Sequence, residues 1–229
     1  MDHLAGLPSL RHIIAGGEAL PAALARRVGA AAPGVSLINA YGPTETTVVV
    51  TDRLADPTVT GPTVPIGRPV AGTELLVLDE SLRRVPDGVT GELYVRGIPV
   101  TRGYLGRPDL TAAAYVADPT GDVPGARLYR TGDLVVRRSG ELEYLGRADT
   151  QVKVRGNRVE LGEIEACLRA VDGVAAAAVR VDGDRIIGWI VPTDPSVIDT
   201  SSSGSLADHT ALVSAVERSV RRRLPSYMV

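Results

Sequence analysis

The sequence predicts a mixed α/β (α+β) fold, in which the end of an α/β layer is followed by a small β-barrel-like subdomain and, after a hinge, by a small α+β C-terminal subdomain. Within residues 10–39, two apolar runs flank an alanine-rich helical stretch, which indicates strand, helix, strand. Short β-rich runs with Gly, Pro and Asp turns follow at 64–138, and the composition changes again after Asp149. We therefore expect two domains, 1–149 and 150–229.

The elements of the first domain follow from these patterns. Residues 10–14 and 35–39 are predicted strands, and Pro21 suits the first turn of a helix that runs to about residue 31. The later predictions are strands at 74–79, 92–96, 128–130 and 134–137, a short helix at 110–116, and a hairpin turn at Ser139-Gly140 that leads into 141–144.

The second domain alternates strand and helix patterns on a smaller scale. We predict strands at 151–154, 174–181 and 185–191 and helices at about 162–170 and 206–223. Residues 193–206 are rich in Ser, Asp, Thr and Pro and are predicted to be a flexible insertion. Arg221-Arg222-Arg223 is interpreted as a set of cations in the last turn of a helix, because three residues are too few for a nucleic-acid patch.

Composition excludes several classes of function. With 44% hydrophobic residues and a net charge of −2, the 229-residue chain is expected to be a soluble, cytoplasmic protein with no nucleic-acid partner. It has no apolar run of the ~20 residues that a membrane span needs, and its start lacks a signal-peptide pattern. Cys167 is the single cysteine, and the three histidines are scattered, so any metal is expected to be oxygen-ligated.

The string Asn39-Ala-Tyr-Gly-Pro-Thr-Glu-Thr-Thr47 lies where a predicted strand ends, the usual place for ligand loops in α/β sheets. Tyr41 offers a flat face for a base. Thr44 and Glu45 offer a hydroxyl and a carboxylate that suit phosphate and Mg²⁺. A bare Gly-Pro-Thr-Glu would favour a Pro-containing turn with polar caps over a ligand loop.

The basic residues carry a second signal. Of 25 lysines and arginines, only Lys153 is a lysine. Codon bias explains the arginines, and it leaves open a role for Lys153 that needs a compact, mobile charge.

Further strings extend the pattern along the chain. They are Gly91-Glu-Leu-Tyr-Val-Arg-Gly97 with Thr101-Arg-Gly-Tyr-Leu105, Tyr129-Arg-Thr-Gly-Asp-Leu134, the run from Gly146 to Glu165, and Leu224-Pro-Ser-Tyr-Met228. Together with the Asn39–Thr47 string, they resemble the adenylate-forming enzyme superfamily, and in particular the adenylation domains of nonribosomal peptide synthetases, in order and spacing.

The resemblance implies a nucleotide site. It assigns adenine stacking to Tyr41, the base edge to Asn39, phosphate to Thr44 and the ribose to Asp133, with Arg147 near the ribose and phosphates. The full implied set of cofactor-binding residues is Gly16, Gly17, Glu18, Asn39, Ala40, Tyr41, Gly42, Thr44, Asp133, Tyr144 and Arg147. From the sequence alone, Asp133 would be a turn aspartate, and Tyr144 could equally close the barrel face.

The resemblance also implies catalytic residues and a hinge. Glu45 would help to hold Mg²⁺, Asp149 would be the hinge of the C-terminal subdomain, and Lys153 would face the active site in the thioester-forming arrangement. The implied catalytic set is Thr44, Glu45, Arg147 and Lys153. Glu163 and Glu165 most simply favour a helix N-terminus and are assigned no chemistry.

The resemblance implies a reaction with ATP, Mg²⁺ and an amino acid. The parent protein would form an aminoacyl-adenylate and pass the aminoacyl group to the phosphopantetheine thiol of a peptidyl carrier protein domain, in secondary metabolite biosynthesis, with a small activator protein as a further partner. The positions that match the substrate pocket are all apolar, which favours an apolar amino acid, although the same residues could be ordinary core. They are Ile13, Ala15, Ala40, Val48 and Val49.

Two of the family's parts find no match in this sequence. The phosphate loop is expected upstream of Asn39, and the catalytic lysine is expected just beyond Met228, so we expect this chain alone to be inactive and prone to associate. The alternatives to an amino-acid-activating parent are a catalytically silent fragment and an acyl-CoA ligase-type relative. The strings at 146–156 and 158–165 favour the synthetase branch.

Overall fold

The structure is a computed structural model that describes residues 7–121, 124–198 and 203–229, with the backbone alone at 198 and 203–208. The chain divides into two compact units, 1–149 and 150–229. Each unit has its own hydrophobic core.

The first unit begins with a four-stranded sheet. The strands are β1 (His12–Gly16), β2 (Ser36–Tyr41), β3 (Thr51–Leu54) and β4 (Arg68–Pro69), and helix α1 (Ala22–Ala31) connects the first two. β1 and β2 are parallel, as a strand–helix–strand connection requires, whereas β3 and β4 add antiparallel. Ala25 and Val28 of α1 pack with Leu37 of β2 in a buried cluster.

The predicted strand–helix–strand start is confirmed with shifted bounds. Pro21 has an extended conformation and directly precedes α1 rather than lying in its first turn. β2 continues to Tyr41, two residues beyond the predicted end. β3 and β4 were not predicted, because Thr51–Leu54 alternates little in polarity and β4 is two residues long with a proline.

A five-stranded antiparallel sheet forms the rest of the first unit, with the order β5-β6-β8-β7 and with β9 paired to β8. Its elements are β5 (Thr73–Leu78), β6 (Thr90–Gly97), α2 (Pro108–Ala114), β7 (Tyr115–Ala117), β8 (Arg127–Arg138) and β9 (Glu141–Arg147). Leu93, Val95 and Val135 of this sheet share one core cluster with Tyr41 and Val50.

The predicted hairpin at Ser139-Gly140 is confirmed. Arg138 pairs with Glu141, and Ser139 and Gly140 have φ values of 51° and 77°, as a two-residue type I′ turn requires. Two predictions for this sheet were wrong. The strands predicted at 128–130 and 134–137 are one continuous strand, β8, and the helix predicted to residue 116 ends at Ala114.

The second unit is a small α+β body. It contains β10 (Gln151–Val154), β11 (Asn157–Glu160), α3 (Leu161–Arg169), β12 (Val174–Asp182), β13 (Arg185–Pro192), a 3-10 turn (Pro195–Ile198), α4 (Ser203–Arg223) and a 3-10 turn (Ser226–Met228). β10–β11 and β12–β13 are antiparallel hairpins. Cys167 of α3 is buried with Val159 and Val220 in the core of this unit.

The predicted insertion at 193–206 is partly helical in the structure. Pro195–Ile198 forms a 3-10 turn and α4 begins at Ser203, while 199–202 lie outside the described residues. Arg221, Arg222 and Arg223 lie in the last turn of α4, as predicted. No helix in the described part of the chain is both long and apolar enough to cross a membrane.

The two sheets of the first unit meet at Gly67 and Leu142. The amide of Ile66 donates to the carbonyl of Leu142 at 2.8 Å, and the amide of Leu142 donates to the carbonyl of Gly67 at 3.0 Å. Gly67 has a φ of +90°, and a Cβ there would lie 2.2 Å from the carbonyl oxygen of Asp52. The junction therefore requires glycine at this position.

Replacing Gly67 by alanine is expected to destabilise the protein by more than about 2 kcal/mol, because backbone strain adds to the overlap with Asp52. Gly88 is a matched control, since its φ is +85° but a Cβ there would meet nothing within 4 Å. Gly88→Ala should cost only the strain, about 1 kcal/mol. Thermal unfolding of both variants measures the difference, and equal losses would contradict the account of the junction.

Candidate functional site

The buried carboxylate of Asp133 lies at the centre of the candidate site. Asp133 is on β8, is 3% exposed, and pairs in register with Arg147 of β9. The hydroxyl of Tyr41, at the end of β2, donates to Oδ2, and Nη1 of Arg147 donates to Oδ1 at 2.9 Å. The Asp133 carboxylate thus contacts Arg147 on the neighbouring strand and Tyr41, which is 92 residues away in the sequence.

Arg147 extends this cluster to Asp149. Its Nε and Nη2 donate to the two carboxylate oxygens of Asp149, each at 2.7 Å, and Nη1 also donates to the carbonyl of Thr131 at 3.0 Å. Burial lowers the pKa of Arg147, but the hydrogen bonds to Asp149 and the charge of Asp133 outweigh it, so that the net shift of the pKa is upward. The guanidinium is therefore a fixed cation between two carboxylates.

Gly132 makes room for that cation. Its φ is +75°, and a Cβ there would lie 2.5 Å from Nη2 of Arg147 and 3.1 Å from Oδ2 of Asp149. Beside it, the hydroxyl of Thr131 donates to the carbonyl of Leu93 at 2.7 Å and accepts from the amide of Asp133 at 3.0 Å. Gly132 and Thr131 belong to the Tyr129–Leu134 string, but the sequence reasoning gave them no role.

The two tyrosines near Asp133 stay protonated at neutral pH. Burial first, and then the charge and hydrogen bond of Asp133, raise the pKa of Tyr41 well above its usual value. Burial and the charge of Asp133 also raise the pKa of Tyr144 to about 12. Tyr41 is 7% exposed and belongs to the core cluster, and its stacking on adenine remains a prediction.

Asn39 is tied to the backbone. It is 2% exposed, and its Nδ2 donates to the carbonyls of Val64 and Pro65 at 3.1 Å and 2.9 Å. Both amide hydrogens thus have acceptors within the protein, which fixes the strand that ends at Tyr41. A role of Asn39 at the base edge stays a prediction.

Glycines bring backbone segments close together beside this cluster. A Cβ on Gly16 would lie 2.8 Å from the carbonyl oxygen of Ala40, and one on Gly42 would lie 2.7 Å from that of Val48. Gly17 has a φ of 91°, and Glu18 after it is exposed. Gly16 and Gly42 therefore allow backbone segments to approach closely at the end of β2.

Glu45 lies in a one-turn 3-10 helix, Thr44–Thr46, and is 8% exposed. The hydroxyl of Tyr104 donates to its Oε1 at 2.5 Å, and the amide of Thr101 donates to its carbonyl at 2.9 Å. Burial and this hydrogen bond raise the pKa of Tyr104, so that the hydroxyl remains a donor. Tyr104 lies in the Thr101–Leu105 string, and its contact with Glu45 was not predicted from the sequence.

The donor types at Glu45 suit Mg²⁺. Its carboxylate and the hydroxyl of the neighbouring, exposed Thr44 are hard oxygen ligands. In the described residues, no group of three His, Cys, Asp or Glu side chains could hold a metal. Mg²⁺ is commonly bound by one or two carboxylates together with substrate phosphates and water.

The predicted substrate-pocket residues do not share one apolar cluster. Ile13 and Ala15 pack against the α1 core, and Ala40 is 8% exposed. Val48 and Val49 are 65% and 37% exposed on the loop after the 3-10 turn. Val48 has a φ of 72°, which is strained for a β-branched residue.

Lys153 and Asp149 lie on either side of the division between the units. Lys153 is half-buried on β10, opposite Arg158 of β11, and alternates with Val152 and Val154, which pack in the core of the second unit. Asp149 is the last residue of the first unit. Its hinge role and the thioester-stage role of Lys153 stay predictions.

Comparison with known proteins identifies the class. A family model described as "AMP-binding enzyme" matches residues 2–105. The chain belongs to this family of AMP-binding, adenylate-forming enzymes. Within the family, it is similar to adenylation domains of nonribosomal peptide synthetases.

Three relatives illustrate this similarity. The probable non-canonical nonribosomal peptide synthetase CymA of Salinispora arenicola is 46% identical over 100% of this chain, which spans 3% of that protein. The adenylation domain AlmE of Vibrio cholerae, solved with glycyl-adenosine-5'-phosphate, has a TM-score of 0.80 and 29% identity, over 99% of this chain and 41% of its own. PA1221, an NRPS protein containing adenylation and PCP domains, has a TM-score of 0.70 and 30% identity, over 88% and 41%.

Raising the pH above 10 is expected to destabilise the protein through Tyr41, whose pKa is raised in the folded state from 10.0. The unfolded chain loses this proton at about pH 10, whereas the folded chain keeps it. The contribution of Tyr41 to the free energy of unfolding is therefore fully present below about pH 10. It is lost as the pH rises toward the pKa of Tyr41 in the folded state. Tyr41→Phe should reduce this alkaline loss, and an unchanged slope of the unfolding midpoint against pH would contradict the raised pKa of the buried Tyr41.

Proposed function

We propose that this chain carries part of an ATP-dependent amino-acid-activating domain. The parent protein joins an amino acid to the α-phosphate of ATP, releases pyrophosphate, and passes the aminoacyl group to the phosphopantetheine thiol of a carrier protein. The observation that carries the proposal is the buried cluster of Tyr41, Asp133 and Arg147, in which a fixed carboxylate and a fixed guanidinium lie side by side.

The cluster supports nucleotide binding by its charges. The Asp133 carboxylate is an acceptor, the natural partner of two vicinal ribose hydroxyls. The guanidinium of Arg147 is a fixed positive charge that would attract the phosphates, while its Nε and Nη2 donate to Asp149. Tyr41 holds the carboxylate, Asp149 holds the guanidinium, and Gly132 leaves space for it, so both positions would be set before a ligand arrives.

Glu45 and Thr44 support the phosphate end of the site. Glu45 would hold Mg²⁺, and the hydroxyl of Thr44 would contact a phosphate. When bound, Mg²⁺ neutralises negative charge on the phosphates. The contribution of the chain is to hold the Glu45 carboxylate in one place, at the end of the strand that also carries Tyr41.

Two solved relatives support the finer chemistry. AlmE was solved with glycyl-adenosine-5'-phosphate, an aminoacyl-adenylate like the proposed intermediate, and PA1221 contains adenylation and PCP domains. The proposed partners are therefore ATP, an amino acid and a carrier domain. An apolar amino acid, a small activator protein, a cytoplasmic location and the thioester-stage role of Lys153 belong to the same proposal and rest on the sequence resemblance.

ATP–pyrophosphate exchange by the full-length parent, measured across a panel of amino, aryl and fatty acids, tests the proposal. We expect amino-acid-dependent exchange, reduced about 10- to 100-fold by Asp133→Asn, because a hydrogen bond to a charged group is lost. Asp79→Asn is the control, since Asp79 accepts from Ser81 and Arg83 of its own turn. Exchange with fatty or aryl acids alone would favour the acyl-CoA ligase-type relative.

The alternative, that this chain is a catalytically silent fragment, is tested on the 229-residue chain by itself. Clear amino-acid-dependent exchange by this chain would refute the expected inactivity, whereas nucleotide binding without turnover would support it. An active parent in which Asp133→Asn has no effect would contradict the role of the buried cluster.

A further inference from the structure

We propose that Tyr104 is a positioning residue that orients the carboxylate of Glu45 for its cation. This inference rests on the proposed function for the identity of the cation. The hydroxyl of Tyr104 lies 2.5 Å from Oε1 of Glu45, 59 residues away in sequence. The two side chains come from different loops, so the contact is made by the fold and not by local sequence.

Tyr104 is itself held firmly against α2. Its amide donates to the hydroxyl of Thr111 at 2.9 Å, and that hydroxyl donates to the carbonyl of Arg107 at 2.8 Å. Gly103 has a φ of +135°, and a Cβ there would lie 2.4 Å from Cγ2 of Thr111. The ring of Tyr104 meets Tyr115 edge to face, with centroids 5.8 Å apart. The hydroxyl is therefore presented from a fixed backbone.

The same loop also holds the backbone of Glu45. Thr101 donates its amide to the carbonyl of Glu45 at 2.9 Å, and its hydroxyl lies 2.6 Å from that of Tyr115. Arg127 donates to the carbonyls of Thr101 and Arg102 and lies over the ring of Tyr115, 5.4 Å from its centroid. The loop that carries Thr101 and Tyr104 thus fixes both the side chain and the backbone of Glu45.

Glu45 needs this support because its own element is short. The 3-10 helix Thr44–Thr46 has three residues, and Thr47 and Val48 follow with φ values of 59° and 72°. One turn of 3-10 helix does little to restrict the rotamers of a glutamate. A hydrogen bond to Oε1 restricts them, and a ligand carboxylate held by a further hydrogen bond binds metal more tightly.

Tyr104→Phe in the full-length parent tests the inference, because it removes the hydroxyl and keeps the ring on Tyr115. Mn²⁺ is the probe, and its binding in the presence of a non-hydrolysable ATP analogue is followed by electron paramagnetic resonance. We expect the Mn²⁺ dissociation constant and the Mg²⁺ concentration for half-maximal exchange both to rise about tenfold. The exchange rate at saturating Mg²⁺ should change much less.

Tyr94→Phe is the matched control. Tyr94 is 3% exposed and donates to Glu92 at 3.3 Å, so the variant also removes a tyrosine–glutamate hydrogen bond from a buried ring in the same unit. Its Mn²⁺ affinity should match that of the wild type. Equal rises of the Mn²⁺ dissociation constant in Tyr104→Phe and Tyr94→Phe would show a general structural loss and overturn the inference. An unchanged dissociation constant in Tyr104→Phe would also overturn it.

Glu45→Gln provides a second variant that keeps an acceptor for Tyr104 but removes the charge. Adding Tyr104→Phe to it should change Mn²⁺ affinity little, because both changes act through one ligand. Independent, additive losses would overturn the inference, and so would a wild type that binds no Mn²⁺. Mn²⁺ binding without amino-acid-dependent exchange would contradict the proposed function alone. The Mn²⁺ affinities of the wild type and Tyr104→Phe would still test the role of Tyr104.

Discussion

The buried carboxylate of Asp133 constrains both the fold of the first unit and its candidate site. It accepts from Tyr41 at the end of β2 and from Arg147 on β9, so one group links the small α/β sheet to the antiparallel sheet. A buried charge is tolerated only when it is paired and hydrogen-bonded. The surrounding sequence must therefore supply those donors and the space for them, which is why glycine stands at position 132.

The fixed positions of Asp133 and Arg147 also bear on the proposed binding of a nucleotide. A carboxylate and a guanidinium that the fold holds in one arrangement would lose little conformational freedom if a nucleotide bound to them, and this would lower the cost of binding. The carboxylate of Glu45 is also held by the fold, because the loop that carries Thr101 and Tyr104 fixes its backbone and its side chain. Both acidic groups of the proposed site are held by residues that come from other parts of the chain.

The sequence predicted regular elements better than it predicted contacts. The βαβ start, the Ser139-Gly140 hairpin and the end of α4 follow from apolar periodicity and turn chemistry, which are local. β3 and β4 are short and polar and gave no such signal. The site residues were found through motif resemblance, whereas the links of Tyr41 to Asp133 and of Tyr104 to Glu45 span 92 and 59 residues and depend on tertiary packing.

A double-mutant cycle between Tyr41→Phe and Asp133→Asn tests the central role of Asp133 most directly. The free energy of unfolding is measured for the wild type, both single variants and the double variant at neutral pH. If the hydroxyl and the carboxylate stabilise each other across the two sheets, the coupling energy should be about 1.5–3 kcal/mol, the range for a hydrogen bond to a charged group. Additive losses, with a coupling near zero, would contradict the account.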